Sequence, residues 1–215
     1  MLRPMRLFDE LRSEHELIDA ALASFRTWVE VGGEVSDGAR FIDFFRRYAG
    51  DFHHAREEDS LFVALHREVE LPLDAGPMAV LKADHQRLAA LLDELAPRVT
   101  AGTRDEHTRA LATAYSRGLW HHLDAENSVF LPEAEARLRR FVTDLPSRAP
   151  TDAEVAAKQS GEALVKKYAA FVDREVLRGD GCIMCPAYNE TCRGLEREWW
   201  NASEWEEHHE RFSGD

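Results

Sequence analysis

The chain has 215 residues, of which 44% are apolar, with 27 Lys plus Arg against 40 Asp plus Glu, for a formal charge of -13. That much apolar material fills a real core. The acidic balance and the lack of any basic block exclude a nucleic-acid binder and a protein held to anionic lipid by charge. All three cysteines fall between Cys182 and Cys192, which excludes a disulfide scaffold.

The opening Met1-Leu2-Arg3-Pro4-Met5-Arg6 lacks the apolar stretch of a secretory signal, and apolar runs elsewhere are only a few residues long. The expectation is a soluble, cytoplasmic protein with no membrane association. Apolar residues recur at helical spacing and alternating strand-like runs are absent, so the chain reads as all-α. Pro4 opens a first helix that runs to about Val31, where Gly32-Gly33 stops it. Ser36 caps a second, running to about Val69 before Pro72. Gly76-Pro77 opens a third, which fades between Pro97 and Gly102. Thr103-Arg-Asp-Glu106 is a capping-box pattern for a fourth, and Pro132 should bend or end that helix unless Leu138 to Phe141 carry it further. Four helices on short links predict an antiparallel four-helix bundle over residues 1–145. Pro146 to Pro150 reads as a linker into a helical extension, 146–215. There Thr151-Asp-Ala-Glu154 is a second capping box, opening a fifth helix to about Leu177 with Val165, Tyr168, Val172 and Val176 along one side. A cysteine loop and a short Trp-rich helix complete the chain.

The chain contains an internal repeat. Phe52-His-His-Ala-Arg-Glu57-Glu-Asp-Ser-Leu-Phe62 is echoed, about 69 residues on, by Trp120-His-His-Leu-Asp-Ala-Glu126-Asn-Ser-Val-Phe130. Glu14-His15, followed by Ile18 and Leu22, is echoed at nearly the same offset by Asp84-His85, followed by Leu88 and Leu92. Two helical hairpins of one type follow. Each offers one histidine on its first helix and a His-x-x-x-Glu pair on its second. Residues four apart lie one above the other on a helix, about 6 Å apart at Cβ, so both side chains of such a pair reach one metal-sized volume. Four imidazoles and two carboxylates from four helices suit two first-row transition ions bridged by the carboxylates.

Helical faces choose among the doubled residues. Stepping from His53 meets Ile42, Phe45, Ala49, Glu57, Leu61 and Leu65, a core face. Stepping from His54 meets Asp43, Arg46, Arg47, Gly50 and Glu58, which reads as a solvated one. His122 continues Leu111, Tyr115, Leu119, Glu126, Val129 and Phe130, whereas His121 shares its face with Arg117, Asp124 and Ser128. His15 lies on the stripe Leu7, Leu11, Ile18, Leu22, Phe25, and His85 on Met78, Leu81, Leu88, Leu92, Leu95. The expected ligands are therefore His15, His53, Glu57, His85, His122 and Glu126. One histidine in an apolar stripe is ordinarily a satisfied core or rim residue, but six such groups in one core go unpaired unless something binds them. His54, Glu58 and His121 read as rim groups that orient a ligand imidazole through its other nitrogen, and His66, His107, His208 and His209 as surface residues.

With these motifs, roughly residues 5 to 140 resemble the hemerythrin-like family, a four-helix bundle around a non-haem di-iron centre. The resemblance implies two iron ions, Glu57 and Glu126 bridging them, two imidazoles on each ion, and oxo, hydroxo or water completing the set. Oxygen-carrying hemerythrins place a further histidine one turn after the lone histidine of the third helix, where this chain has Ala89. The lost ligand leaves an exchangeable position, which favours turnover of hydrogen peroxide or nitric oxide over reversible storage of dioxygen. Asp19, His54, or a tyrosine such as Tyr48 or Tyr115 could complete the set. The alternatives are a protein that binds, stores or senses dioxygen, nitric oxide or iron, and an iron donor for the repair of iron centres.

Cys182-Ile-Met-Cys185, followed by Cys192, has the two-residue gap of a metal knuckle or redox pair. No fourth ligand is evident unless His208 or a second subunit supplies one, so idle or buried thiols are favoured over a second metal site. Trp199, Trp200 and Trp205 are expected to cover an apolar surface of the bundle or of a partner subunit in a homodimer.

Overall fold

A computed structural model describes residues 5–169. Five helical rods follow one another, and no strand occurs among the described residues. The first, α1, is Arg6–Val31. The second, α2, starts as α-helix at Val35–Asp43, widens into π-helical turns at Phe44–His54 and Glu57–Phe62, and ends as α-helix at Val63–Val69. The third, α3, is Gly76–Thr100. The fourth, α4, joins Glu106–Ala125 through a π-helical turn at Glu126–Phe130 to Leu131–Leu138. The last, α5, is Asp152–Lys167.

Local chemistry sets the boundaries, in places differently from the sequence reading. Gly32, at φ 87°, ends α1 with its N–H bonded to the Trp28 carbonyl. Ser36 does not cap α2: the helix starts one residue earlier, after the extended Glu34, and no side chain caps it. Instead, the Trp28 indole N–H bonds the Glu34 carbonyl at 3.1 Å and fixes the turn. Thr103 is likewise not the cap of α4. Asp105 is, accepting from the Thr108 N–H at 2.9 Å while Arg98 holds its carboxylate from the end of α3. A carboxylate nearer the first turn, already braced by a cation, displaces the more distant hydroxyl. Pro132 neither ends nor breaks α4. It falls in the first turn after the π winding, where its missing N–H costs little. The predicted box at α5 forms, with Glu154 N–H to Thr151 Oγ1 at 3.3 Å and Thr151 N–H to Glu154 Oε2 at 2.7 Å.

The helix α5 stops at Lys167, short of the expected Leu177, because Tyr168 leaves the helical conformation (φ -113°, ψ 64°) and gives its hydroxyl to Asp37 at 2.7 Å. Val172, Val176, the cysteine loop and the Trp-rich helix lie outside the described residues.

Each of α1 to α4 packs against its neighbours in a closed ring, and α5 lies outside it, against α1 and the π-helical part of α2. Gly161 makes that contact close, since a Cβ there would run into the Phe44 ring. Because α5 covers a second side of α2, both Phe44 and Phe45 are buried. Two apolar clusters fill the ring. One holds Ile18, Phe45, Phe52, Leu88 and Leu119, the other Leu11, Leu61, Leu81 and Phe130. Along α1, α2 and α3 the predicted ligands fall between the last residue of one cluster and the first of the other, and on α4 His122 and Glu126 bracket Leu123, the last residue there of the first cluster. A polar layer thus crosses the middle of the core. No helix among the described residues is long and apolar enough to cross a membrane.

Candidate metal centre

The structure brings all six predicted residues into that layer, each no more than 6% exposed. Two histidine pairs meet nitrogen to nitrogen: His15 Nε2 lies 3.0 Å from His53 Nε2, and His85 Nε2 lies 3.1 Å from His122 Nε2. The carboxylates span the pairs. Glu57 turns Oε1 toward His53 Nε2 (3.7 Å) and Oε2 toward His85 Nε2 (3.5 Å). Glu126 turns Oε2 toward His15 Nε2 and Oε1 toward His122 Nε2, both at 3.3 Å. Two four-residue groups result, His15-His53-Glu57-Glu126 and Glu57-His85-His122-Glu126, each with donor atoms within 4.8 Å of one another and both carboxylates in common.

The outer nitrogens explain why the inner ones are free to ligate. His15 Nδ1 lies 2.8 Å from Asn127 Oδ1, His53 Nδ1 2.9 Å from Glu14 Oε2, and His85 Nδ1 2.8 Å from Glu58 Oε1. Asp84 Oδ2 stands 3.8 Å from His122 Nδ1, an ion-pair rather than a hydrogen-bond distance. An acceptor at Nδ1 fixes the proton there and leaves the Nε2 lone pair pointing inward. The pattern is two-fold. In each hairpin the acid before the lone histidine (Glu14, Asp84) reaches the histidine of the following helix. The residue after each shared glutamate (Glu58, Asn127) reaches the lone histidine of the other hairpin.

At the centre, imidazole lone pairs therefore face carboxylate oxygens. All four carboxylate oxygens of Glu57 and Glu126 are buried with no hydrogen-bond partner, in residues that are 0% exposed. Buried acceptors facing acceptors are costly unless a cation lies between them. Protons answer the same field. Burial alone pushes the His85 imidazole down, but the Glu57 and Glu58 carboxylates outweigh it and raise its hold on a proton, the cation that answers these acceptors in the absence of metal. Burial and the charge of Glu126 push the Glu57 carboxyl up. Burial, with the other imidazoles, drives His53 well below the usual histidine range. The donor set fits transition-metal cations: nitrogen and oxygen donors, two shared anions, and a dry, pre-shaped space.

Several expectations are refined here. Glu58 orients His85, as anticipated, and His121 is half-buried at the rim. His66 and His107 are exposed. His54 is not on a solvated face. It is 8% exposed, stacked on His85 with ring centroids 3.9 Å apart at 8°, and edge-on to His122 at 5.3 Å. A 3.6-residue period put it among Asp43, Arg46 and Arg47, but the π winding of Phe44–His54 holds more residues per turn and rotates its last residues inward. Tyr48 packs among Phe44 and Phe52, and Tyr115 packs edge-on to Phe45 at 5.3 Å. Asp19 lines a cleft beside His15 and Asn127 and joins neither four-residue group. Arg56, which the sequence reading passed over, is 3% exposed and pairs with Glu10 and Glu14, bracing the partner of His53.

A helical bundle that buries a duplicated set of imidazole and carboxylate donors across its core belongs to the metal-binding four-helix proteins. The chain belongs to the hemerythrin HHE cation-binding domain family, which matches residues 6–134. That span contains all six donors. No curated protein and no solved structure matches the chain.

Proposed function

We propose that this protein holds two iron ions and reacts with a small diatomic or peroxide ligand, with hydrogen peroxide or nitric oxide as the substrate it turns over. His15 and His53 would hold one ion, His85 and His122 the other, with Glu57 and Glu126 shared between them. The observation that carries the reading is the central layer itself: four unpartnered carboxylate oxygens facing two pairs of imidazole nitrogens. Bound iron supplies one-electron redox chemistry and positions at which a small molecule exchanges with solvent. The protein's residues do the rest. Glu14, Glu58 and Asn127 orient the imidazoles, and the apolar clusters above and below keep bulk water out. Ala89, in place of a further imidazole, leaves one side of the site open, which favours turnover over storage.

Metal analysis combined with absorption spectra of the reduced protein, before and after air, nitric oxide and peroxide, tests this. The expected result is two irons per chain, a spectrum that changes with peroxide or nitric oxide, and oxygen evolution or nitric oxide consumption that His53→Ala removes. A stable coloured adduct with dioxygen, reversible under vacuum, would instead make the protein a carrier. Protein that stays empty after growth with ample iron would end the proposal.

A further inference from the structure

Between α2 and α3, beside His85, the structure holds a cavity of about 260 Å³ whose walls include His54, Phe45, Leu88, Leu92 and Tyr115. Ala89 stands exposed at its mouth. One wall ends in the Arg46–Asp93 ion pair (2.6 Å), which joins the π-helical segment to α3, and Asp51 adds a further carboxylate to the rim. The only imidazole on the walls besides His85 is His54, and its Nε2 is buried without a hydrogen-bond partner. A buried polar atom left unmatched in the wall of a cavity calls for something to pair with it.

We propose that this cavity is the seat of the exogenous ligand, on the His85–His122 side of the site, and that His54 Nε2 hydrogen-bonds the ligand there. The inference rests on the metal-site reading above and names the ligand class: two or three atoms, uncharged or singly anionic, and able to accept a hydrogen bond. Apolar walls, and a rim on which Asp51 and Asp93 outnumber Arg46, disfavour multivalent, strongly hydrated anions. The donor atoms of His54, His85 and His122 lie within 4.8 Å of one another, yet the group that adds both carboxylates to His85 and His122 does not include His54. His54 thus stands close enough to His85 and His122 to touch what they hold without being among the donors that share the carboxylates. The stacking of His54 on His85 holds its ring in place. Its counterpart in the second hairpin, the residue after the ligand histidine His122, is the buried Leu123, which brings no polar atom to the matching place. His54 is thus a positioning residue present on one side only.

Two measurements test the proposal, one of them free of metal. Crystals of the metal-free protein pressurised with xenon should show a xenon site in this cavity, and Ala89→Phe, a change at its exposed mouth, should remove it. Absence of xenon overturns the cavity as a ligand seat whether or not iron binds. In the iron-loaded, oxidised protein, azide serves as the probe. His54→Leu should weaken azide binding about tenfold, the loss of one hydrogen bond in a dry site, while His54→Gln, which keeps a donor, stays within about threefold and guards against a folding artefact. Both variants should retain two irons per chain. Unchanged azide affinity in His54→Leu overturns the role given to His54, and so does a fall to one iron in both variants, which would make His54 a ligand. A chain that takes up no iron overturns the functional proposal and this role with it, and the xenon result still decides the cavity.

Discussion

Replacing Glu57 by leucine should stabilise the metal-free protein while abolishing metal binding. Glu57 is 0% exposed and both of its carboxylate oxygens lack a partner, and a buried polar group without partners costs about 1–3 kcal/mol. Leucine is close in volume, so repacking between Leu61 and Phe52 should cost less than about 1.5 kcal/mol. The net expectation is a gain of about 1–2 kcal/mol without metal, or roughly 2–8 °C in Tm at about 2–4 °C per kcal/mol for a chain of this size. Metal reverses the order. With iron at a hundred times its Kd the unmodified protein gains about 2.7 kcal/mol, and Glu57→Leu gains far less because one of the two shared anions is gone. Urea unfolding of chelator-stripped protein, with and without iron, reads both halves. If Glu57→Leu is the less stable protein in the absence of metal, the two oxygens are satisfied by the fold itself, and the central argument for a cation site fails.

Removing an outer acceptor, by Asn127→Ala or Glu58→Ala, should cost about 10–100-fold in metal affinity with little change in fold, read by competition with a chelator. Gly161→Ala, which drives a Cβ into the Phe44 ring, should destabilise the protein by about 1–3 kcal/mol and leave metal content unchanged, as denaturant midpoints and metal analysis would show. Glu154, hydrogen-bonded by Arg148 and capping α5, has its carboxyl held at about 2. A folded-state value below the ordinary one contributes stability that is full above about 4.5 and fades as pH falls toward 2. The stability difference between the unmodified protein and Glu154→Gln should therefore shrink as the pH of the urea titration is lowered from 5 to 3, and a difference that stays constant would refute it.

The six central residues were legible in the sequence because His-x-x-x-Glu spacing and internal duplication are properties of a line of residues, and both survive the change from α to π winding. Residues four apart remain neighbours in either. What a fixed 3.6-residue period misplaces is phase accumulated over a long π stretch, and His54 stands at the end of one, eleven residues long. The acids before the lone histidines were visible as part of the repeat. Their roles were not, since Glu14 acts on a histidine 39 positions away on another helix, and no local rule says which helix faces which. The displaced caps have a similar origin. Asp105 wins over Thr103 through Arg98, a residue from the preceding helix. Nothing in the sequence around Arg56 marks its burial against Glu14 and against the linker before α5, through Ser147 at 2.6 Å.

The duplication also shows where the two halves diverge, and the differences converge on one side of the site. The two-fold relation matches the cleft between α1 and α4, lined by Arg12, His15, Glu16, Asp19 and Asn127, with the cavity between α2 and α3. Asp19 in one answers to Ala89 in the other, and the neutral Asn127 beside His15 answers to the anionic Glu58 beside His85. A carboxylate at Nδ1 makes an imidazole the more basic donor, while an amide leaves it weaker. The His15 side therefore pairs a weaker imidazole with a polar, charged cleft, and the His85 side pairs a strengthened imidazole with a cavity that is apolar within, charged only at its rim by Arg46, Asp51 and Asp93, and holds an unmatched histidine. Hydrated, charged species favour the first opening and small uncharged or singly charged ones the second. A symmetric ancestor would present the same opening twice; in this chain one histidine, one alanine and one amide make the two sides of a shared pair of carboxylates chemically distinct.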